Sequence, residues 1–134
     1  MKKLILILTL LVSTVMFSSP SYAEWTKVGG DSEPDPDYKE THYINFAQMI
    51  RYGDYLFYLE LSDWKSPIRD GIVSITNYVQ VNCKSFSFRH LSALSFTNSM
   101  GQGEGTPFVS PYTNWTSVNK YKFGKKVIQL VCNR

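Results

Sequence analysis

The sequence predicts a small domain of the α+β class, and three observations carry that reading. Residues 72–96 alternate polar and apolar side chains with the period of two that marks half-buried strands. The chain holds two cysteines, Cys83 and Cys132, placed to close the domain with a disulfide. The final segment changes its pattern, with Val118, Tyr121, Ile128 and Val131 falling roughly on one helical face.

Element by element, Glu24 to Val28 is a short extended piece carrying Trp25. It leads into Gly29 to Asp37, a run of turn formers and acids that has nothing to bury and reads as a solvated loop. Prolines 34 and 36 break the ligand alternation that a calcium loop needs. His42 to Phe46 alternates again, and Ala47 to Ile50 has the look of one helical turn before Gly53-Asp54. Tyr55 to Leu61 is a strand so rich in aromatic and apolar residues that both its faces need cover. Turns at Ser66-Pro67 and Asp70-Gly71 follow. Within 72–82, Val73, Ile75, Asn77, Val79 and Val81 share one parity. Beyond Cys83, Phe86, Phe88, His90, Ser92, Leu94 and Phe96 share another. Two such strands joined by so few residues form an antiparallel hairpin. Met100 to Tyr112, with three glycines and two prolines, is an irregular loop. Thr116 or Ser117 can then cap a terminal helix, although Gly124 and the β-branched residues near the end leave a last strand open as the alternative.

Lys2, Lys3, the apolar run Leu4 to Val15 and the triplet Ser21-Tyr22-Ala23 read as a secretion signal, residues 1–23, cleaved before Glu24. The apolar stretch is short for a bilayer span, so no stable membrane insertion of the mature chain is expected. What remains, residues 24–134, is 111 residues and one domain. It carries 12 basic and 11 acidic side chains, a balance that makes no case for nucleic acid or an anionic membrane as partner. In an oxidising compartment a lone cysteine pair closes, so Cys83 and Cys132 are expected to be joined as a structural staple.

Little in the chain suggests chemistry. Gly101 to Gly105 lacks the helix that a phosphate-binding loop places behind its glycines. His42 and His90 are the two histidines, and neither shows a metal-ligand partner at the right spacing on its own element, so no metal, no cofactor and no catalytic residue is expected. The mature chain is instead rich in aromatics, with three Trp, eight Tyr and seven Phe, more than one helix can hide on a sheet, which suggests a partner surface. The candidate partner-binding residues are Trp64, Lys65 and Arg69 on one turn, with Lys84 and Arg89 beyond the next strand.

The order of features resembles the surface-adhesin protein E family of Gram-negative bacteria. It is carried by Glu24-Trp25, Tyr43-Ile44-Asn45, Ile50, Gly53-Asp54, Ser74 to Asn82-Cys83, Met100 to Glu104, Trp115 and Val127 to Cys132. The resemblance implies a curled antiparallel sheet of about six strands, a C-terminal helix tethered to it by the disulfide, and a tendency to form a homodimer. It also implies an exported, non-catalytic protein that binds host extracellular matrix proteins or plasminogen. No lipobox cysteine follows the signal and the basic clusters are thin, which departs from the adhesin pattern. A second reading is therefore a periplasmic binding or inhibitor protein acting on another protein or on a small hydrophobic ligand such as haem.

Overall fold

The computed structural model describes residues 24–30, 40–120 and 122–134. The expected secretion signal, residues 1–23, and most of the expected acidic loop lie outside these residues. Among the described residues eight strands form one antiparallel sheet: β1 (Thr26–Gly30), β2 (Glu40–Ile44), β3 (Ile50–Tyr52), β4 (Tyr55–Trp64), β5 (Ser74–Asn82), β6 (Ser87–Phe96), β7 (Thr106–Phe108) and β8 (Thr116–Ser117). A single helix of the α type, α1 (Lys122–Cys132), closes the described chain.

Across the sheet the order is β1-β2-β4-β5-β6-β7. The three ten- or nine-residue strands β4, β5 and β6 are its middle. β4 is long enough to hold two partners end to end on one side, β3 against Tyr55 to Phe57 and β2 against Glu60 to Trp64. β6 does the same with β8 at Ser87-Phe88 and β7 at Ala93 to Ser95. The expected six-strand width is thus reached with eight strands.

The turn chemistry is legible residue by residue. Asp70 and Gly71 both have positive φ (50° and 75°) and sit between the bridged pair Arg69 and Ile72, a two-residue hairpin turn for which Asp-Gly is a favoured sequence. In the β5–β6 hairpin, Asn82 Oδ1 accepts the backbone N–H groups of Lys84 and Ser85 at 3.0 and 3.1 Å, an Asx turn that starts the reversal. Asn45 caps the single turn Phe46–Gln48, its Oδ1 accepting the Gln48 N–H at 3.3 Å.

Two covers close opposite faces of the sheet at opposite ends. On one face α1 seats Val127, Ile128 and Val131 against Leu56, Tyr58, Val79, Val81 and Phe88, with Val118 at 0% exposure beneath the approach. Burial of each such side chain contributes about 1.5–3 kcal/mol. The Cys83–Cys132 disulfide pins the last residue of the helix, as expected, with Cα atoms 5.8 Å apart. The final segment is therefore helix, not strand. Its pattern of buried positions and the bond outweigh the poor helix propensity of Gly124. Thr116 and Ser117, expected as the helix cap, instead pair with β6 as β8, and a further turn, Val118–Lys120, precedes α1.

On the other face, at the far end, residues 98–105 fold back over Leu61, Thr76 and Phe96. Met100 N–H donates to Asp63 Oδ1 at 2.7 Å, Gly101 N–H donates to Ser74 Oγ at 3.0 Å, and that hydroxyl donates to the Asn98 carbonyl at 2.6 Å. Gly101, at φ 64°, leaves room for no more than its own backbone, since a Cβ there would meet Thr76 Cγ2 at 3.2 Å.

The strict parity expected along β6 does not hold. Tyr78 pairs with Ser92 but Val79 pairs with His90, so Leu91 is an extra residue in a β-bulge and stands 44% exposed. Phe88 and His90 consequently face α1, whereas Ser92, Leu94 and Phe96 face the other way.

Candidate functional site

The α1 face of the sheet is only half filled by the helix. Beside the edge of α1 at Gly124, Val127 and Ile128 lies a cleft of about 200 Å³. Its polar floor comes from four strands. β2 gives Glu40 and His42, β4 gives Glu60 and Ser62, and β6 gives His90. Asn77 of β5 lies between the last two.

Local geometry explains the convergence. Glu40 and His42 are two residues apart on a strand and therefore share a face. His42 pairs with Ser62 across the β2–β4 ladder. His90 follows Phe88 by two residues on β6 and so shares its face opposite Val79, with the bulge beginning only after it.

The two histidines sit in matching chains. His42 Nε2 lies 3.2 Å from Glu40 Oε1 and its Nδ1 lies 3.2 Å from Ser62 Oγ. His90 Nε2 lies 3.4 Å from Glu60 Oε1 and its Nδ1 lies 2.7 Å from Ser110 Oγ. Ser110 Oγ also accepts the Tyr112 N–H at 3.1 Å. Asn77 Nδ2 adds a second donor to Glu60 Oε1 at 3.3 Å. No buried polar side-chain atom among the described residues lacks a partner.

Rings wall the cleft. Phe88, His90 and Tyr112 stand with centroids 5.4 to 5.7 Å apart. Tyr58, 1% exposed, completes the wall. Burial, followed by the nearby Glu60 carboxylate, raises the Tyr58 pKa well above the ordinary phenol value.

A carboxylate–imidazole–hydroxyl chain is the order used by nucleophilic hydrolases. Ser62 lies within β4 with β2 on one side and β5 on the other, so the neighbouring backbone N–H groups are spent in the ladder. Ser110 Oγ is occupied as an acceptor. Among the described residues no group of three or more His, Cys, Asp or Glu is arranged to hold a metal ion.

The opposite face carries a second candidate surface, at the end that residues 98–105 leave open. Phe57 and Tyr78 stack at 6.3 Å, and Tyr55 lies 6.0 Å from Trp115. Arg89 lies with its guanidinium 4.8 Å above the Trp115 ring and donates to Gln80 Oε1 at 2.8 Å. Tyr55 and Trp115 are 36% and 42% exposed, and Tyr52, on the adjoining edge, 78%.

The structure divides the five residues proposed from sequence for partner binding. Arg89 belongs to this aromatic surface, and exposed Lys84 lies in the β5–β6 turn at the same end. Trp64, half-buried at the end of β4, and exposed Lys65 and Arg69 in the β4–β5 connection lie at the other end of the nine-residue strand β5, about 25–30 Å away at the usual rise per residue. Sequence reading missed Trp115 and Tyr55 as neighbours of Arg89 because only the β5–β6 register and the β8 pairing bring them together. It also missed Glu40 as partner of His42. The spacing of two within one strand was the available signal, hidden because residues 37–41 did not read as a strand.

The fold and its surfaces define a small disulfide-closed domain with a polar cleft on one face of its sheet and an aromatic surface on the other. The family model for surface-adhesin protein E matches residues 25–133, nearly the whole chain, and the protein belongs to that family. No curated protein and no solved structure matches the chain. Membership suggests an adhesin-like, non-enzymatic role and an exported or surface location. No helix among the described residues is long and apolar enough to cross a membrane.

Proposed function

We propose that the domain is exported with cleavage after Ala23 and acts by binding another protein through the surface of Tyr55, Phe57, Tyr78, Arg89 and Trp115. The observation that supports this most is the exposed Trp115 ring held between Arg89 and Tyr55. Trp, Tyr and Arg are the residue types that dominate binding hot spots, because each brings large contact area or directional hydrogen bonds to one place at small entropic cost. Family membership favours host extracellular matrix proteins, such as vitronectin or laminin, or plasminogen as the partner.

Immobilised disulfide-closed protein should capture one of these from purified stocks. Trp115→Ala or Arg89→Ala should weaken capture by about tenfold or more with the melting point unchanged, the loss expected of a hot-spot residue. Lys65→Ala/Arg69→Ala, at the other end of the sheet, should not. Loss that follows the second pair instead would move the interface to the β4–β5 turn, and no capture above a control protein of similar charge would remove host adhesion from consideration. A homodimer through the same surface is the other occupant to test, by light scattering of wild type against Trp115→Ala.

A further inference from the structure

The cleft beside α1 is a different surface from the one proposed for protein binding, and its lining specifies a ligand class. We propose that it binds a small organic ammonium ion, with the carboxylates of Glu40 and Glu60 taking the charged nitrogen and the Tyr58, Phe88 and Tyr112 rings enclosing the carbon skeleton.

Charge is the first argument. The described lining contains two carboxylates and neither lysine nor arginine. Among the described residues each carboxylate spends only one oxygen: Glu40 Oε1 meets His42, and Glu60 Oε1 meets His90 and Asn77. Oε2 of both takes no hydrogen bond from a described residue. The side chains of Glu40 and Glu60 are 27% and 26% exposed, reachable but already largely stripped of water. A hydrogen bond to an ionised group in such a place is worth more than the same pair on an open surface.

Shape and polarity narrow the class. Aromatic faces attract cations, and Val127 and Ile128 offer apolar contact to the rest of the molecule. A cavity of about 200 Å³ lies below the range used for drug-sized ligands, so the occupant is small. Haem fits neither the size nor the sign, since its propionates would meet two carboxylates. Calcium needs six or more oxygen ligands, which two glutamates and their neighbours do not supply here.

The two histidines give a direct readout, because they are the only ones in the chain and both line the cleft. Untagged, disulfide-closed protein should be titrated at constant pH with 1,5-diaminopentane and with 2-phenylethylamine, with imidazole C–H signals followed by NMR. 1-Pentanol and pentanoate serve as controls of matched carbon skeleton. Saturable shifts of the imidazole signals with an amine, and none with the controls, are the expected result. Glu60→Gln should weaken the amine by about tenfold, the order expected for a lost charge-assisted hydrogen bond. Should that variant melt early, Glu40→Gln should give a loss of the same sign. Absence of saturable shifts, equal shifts with alcohol or pentanoate, or undiminished affinity in both folded variants would overturn the proposal. None of these outcomes bears on Trp115 or on protein capture.

Discussion

Replacing both cysteines by serine tests what the tether contributes. Cys83 follows β5 and Cys132 ends α1, 49 residues later. In the chain-entropy picture, closing a loop of that length removes freedom from the unfolded ensemble worth about 4 kcal/mol. For a domain of this size each kcal/mol moves the melting point by about 4 °C, so Cys83→Ser/Cys132→Ser should melt about 15 °C lower. The helix should nevertheless stay docked. Val127, Ile128 and Val131 remain buried against the sheet, the Arg134 guanidinium lies 3.8 Å over the Phe46 ring, and Arg51 Nη2 donates to the Cys132 carbonyl at 3.4 Å. Thermal unfolding followed by far-ultraviolet circular dichroism, on the double variant and on wild type with and without reductant, measures both parts. A drop of only a few degrees would refute the loop-entropy argument. Loss of helical signal at low temperature would show that the apolar face of α1 does not hold the helix unaided.

Three further outcomes follow from particular residues. Tyr58 has its pKa raised in the folded state, so its contribution is present below about pH 10 and is lost as pH rises from there toward the folded value; wild type should lose melting temperature more steeply at alkaline pH than Tyr58→Phe. Gly105→Ala would place a Cβ 2.9 Å from the Phe96 ring and 3.2 Å from Leu94 Cβ, and should cost about 1–3 kcal/mol by overpacking, measured by urea unfolding. N-terminal sequencing of the exported form should begin at Glu24, and recovery of the chain from the cytoplasm with Met1 intact would refute export.

The long strands β4, β5 and β6, the disulfide and the Asp70-Gly71 turn were legible because each is decided locally, whereas β7 lies within the stretch read as an irregular loop and β8 where a helix cap was expected. Asp70-Gly71 and Asn82 carry their turn chemistry in their own backbone and side chains, and the β5–β6 hairpin follows from alternation and a short connection. What depends on register was not legible. Parity along β6 fails at Leu91, and no periodicity marks where a chain will insert one extra residue. That single insertion sends Ser92, Leu94 and Phe96 to the face opposite Phe88 and His90, where alternation alone would set all five together. The aromatic surface was foreseen in kind, from the excess of Tyr, Phe and Trp. Its members were not, because Trp115 reaches Arg89 only after β8 pairs with the start of β6. The basic residues were grouped by proximity in sequence, which the length of β5 then separates.

The placement of the two covers explains why both surfaces exist in so small a domain. α1 fills the end of one face near the β5–β6 turn, and residues 98–105 fill the opposite face at the other end. The uncovered quarters lie on a diagonal: the cleft that runs from the edge of α1 toward His42 and Ser62, and the aromatic surface around Trp115. The same strands serve both, since successive residues of a strand point to opposite sides. Arg89 belongs to one surface and His90 to the other, and Phe57 and Tyr58 divide in the same way. A hydrogen-bonded sheet holds such neighbours at fixed separation, so occupancy of one side needs no rearrangement on the other. Truncating Arg89 or Trp115 should therefore leave the amine titration of the histidines unchanged, and that independence is what allows the two readings to be tested separately in one protein.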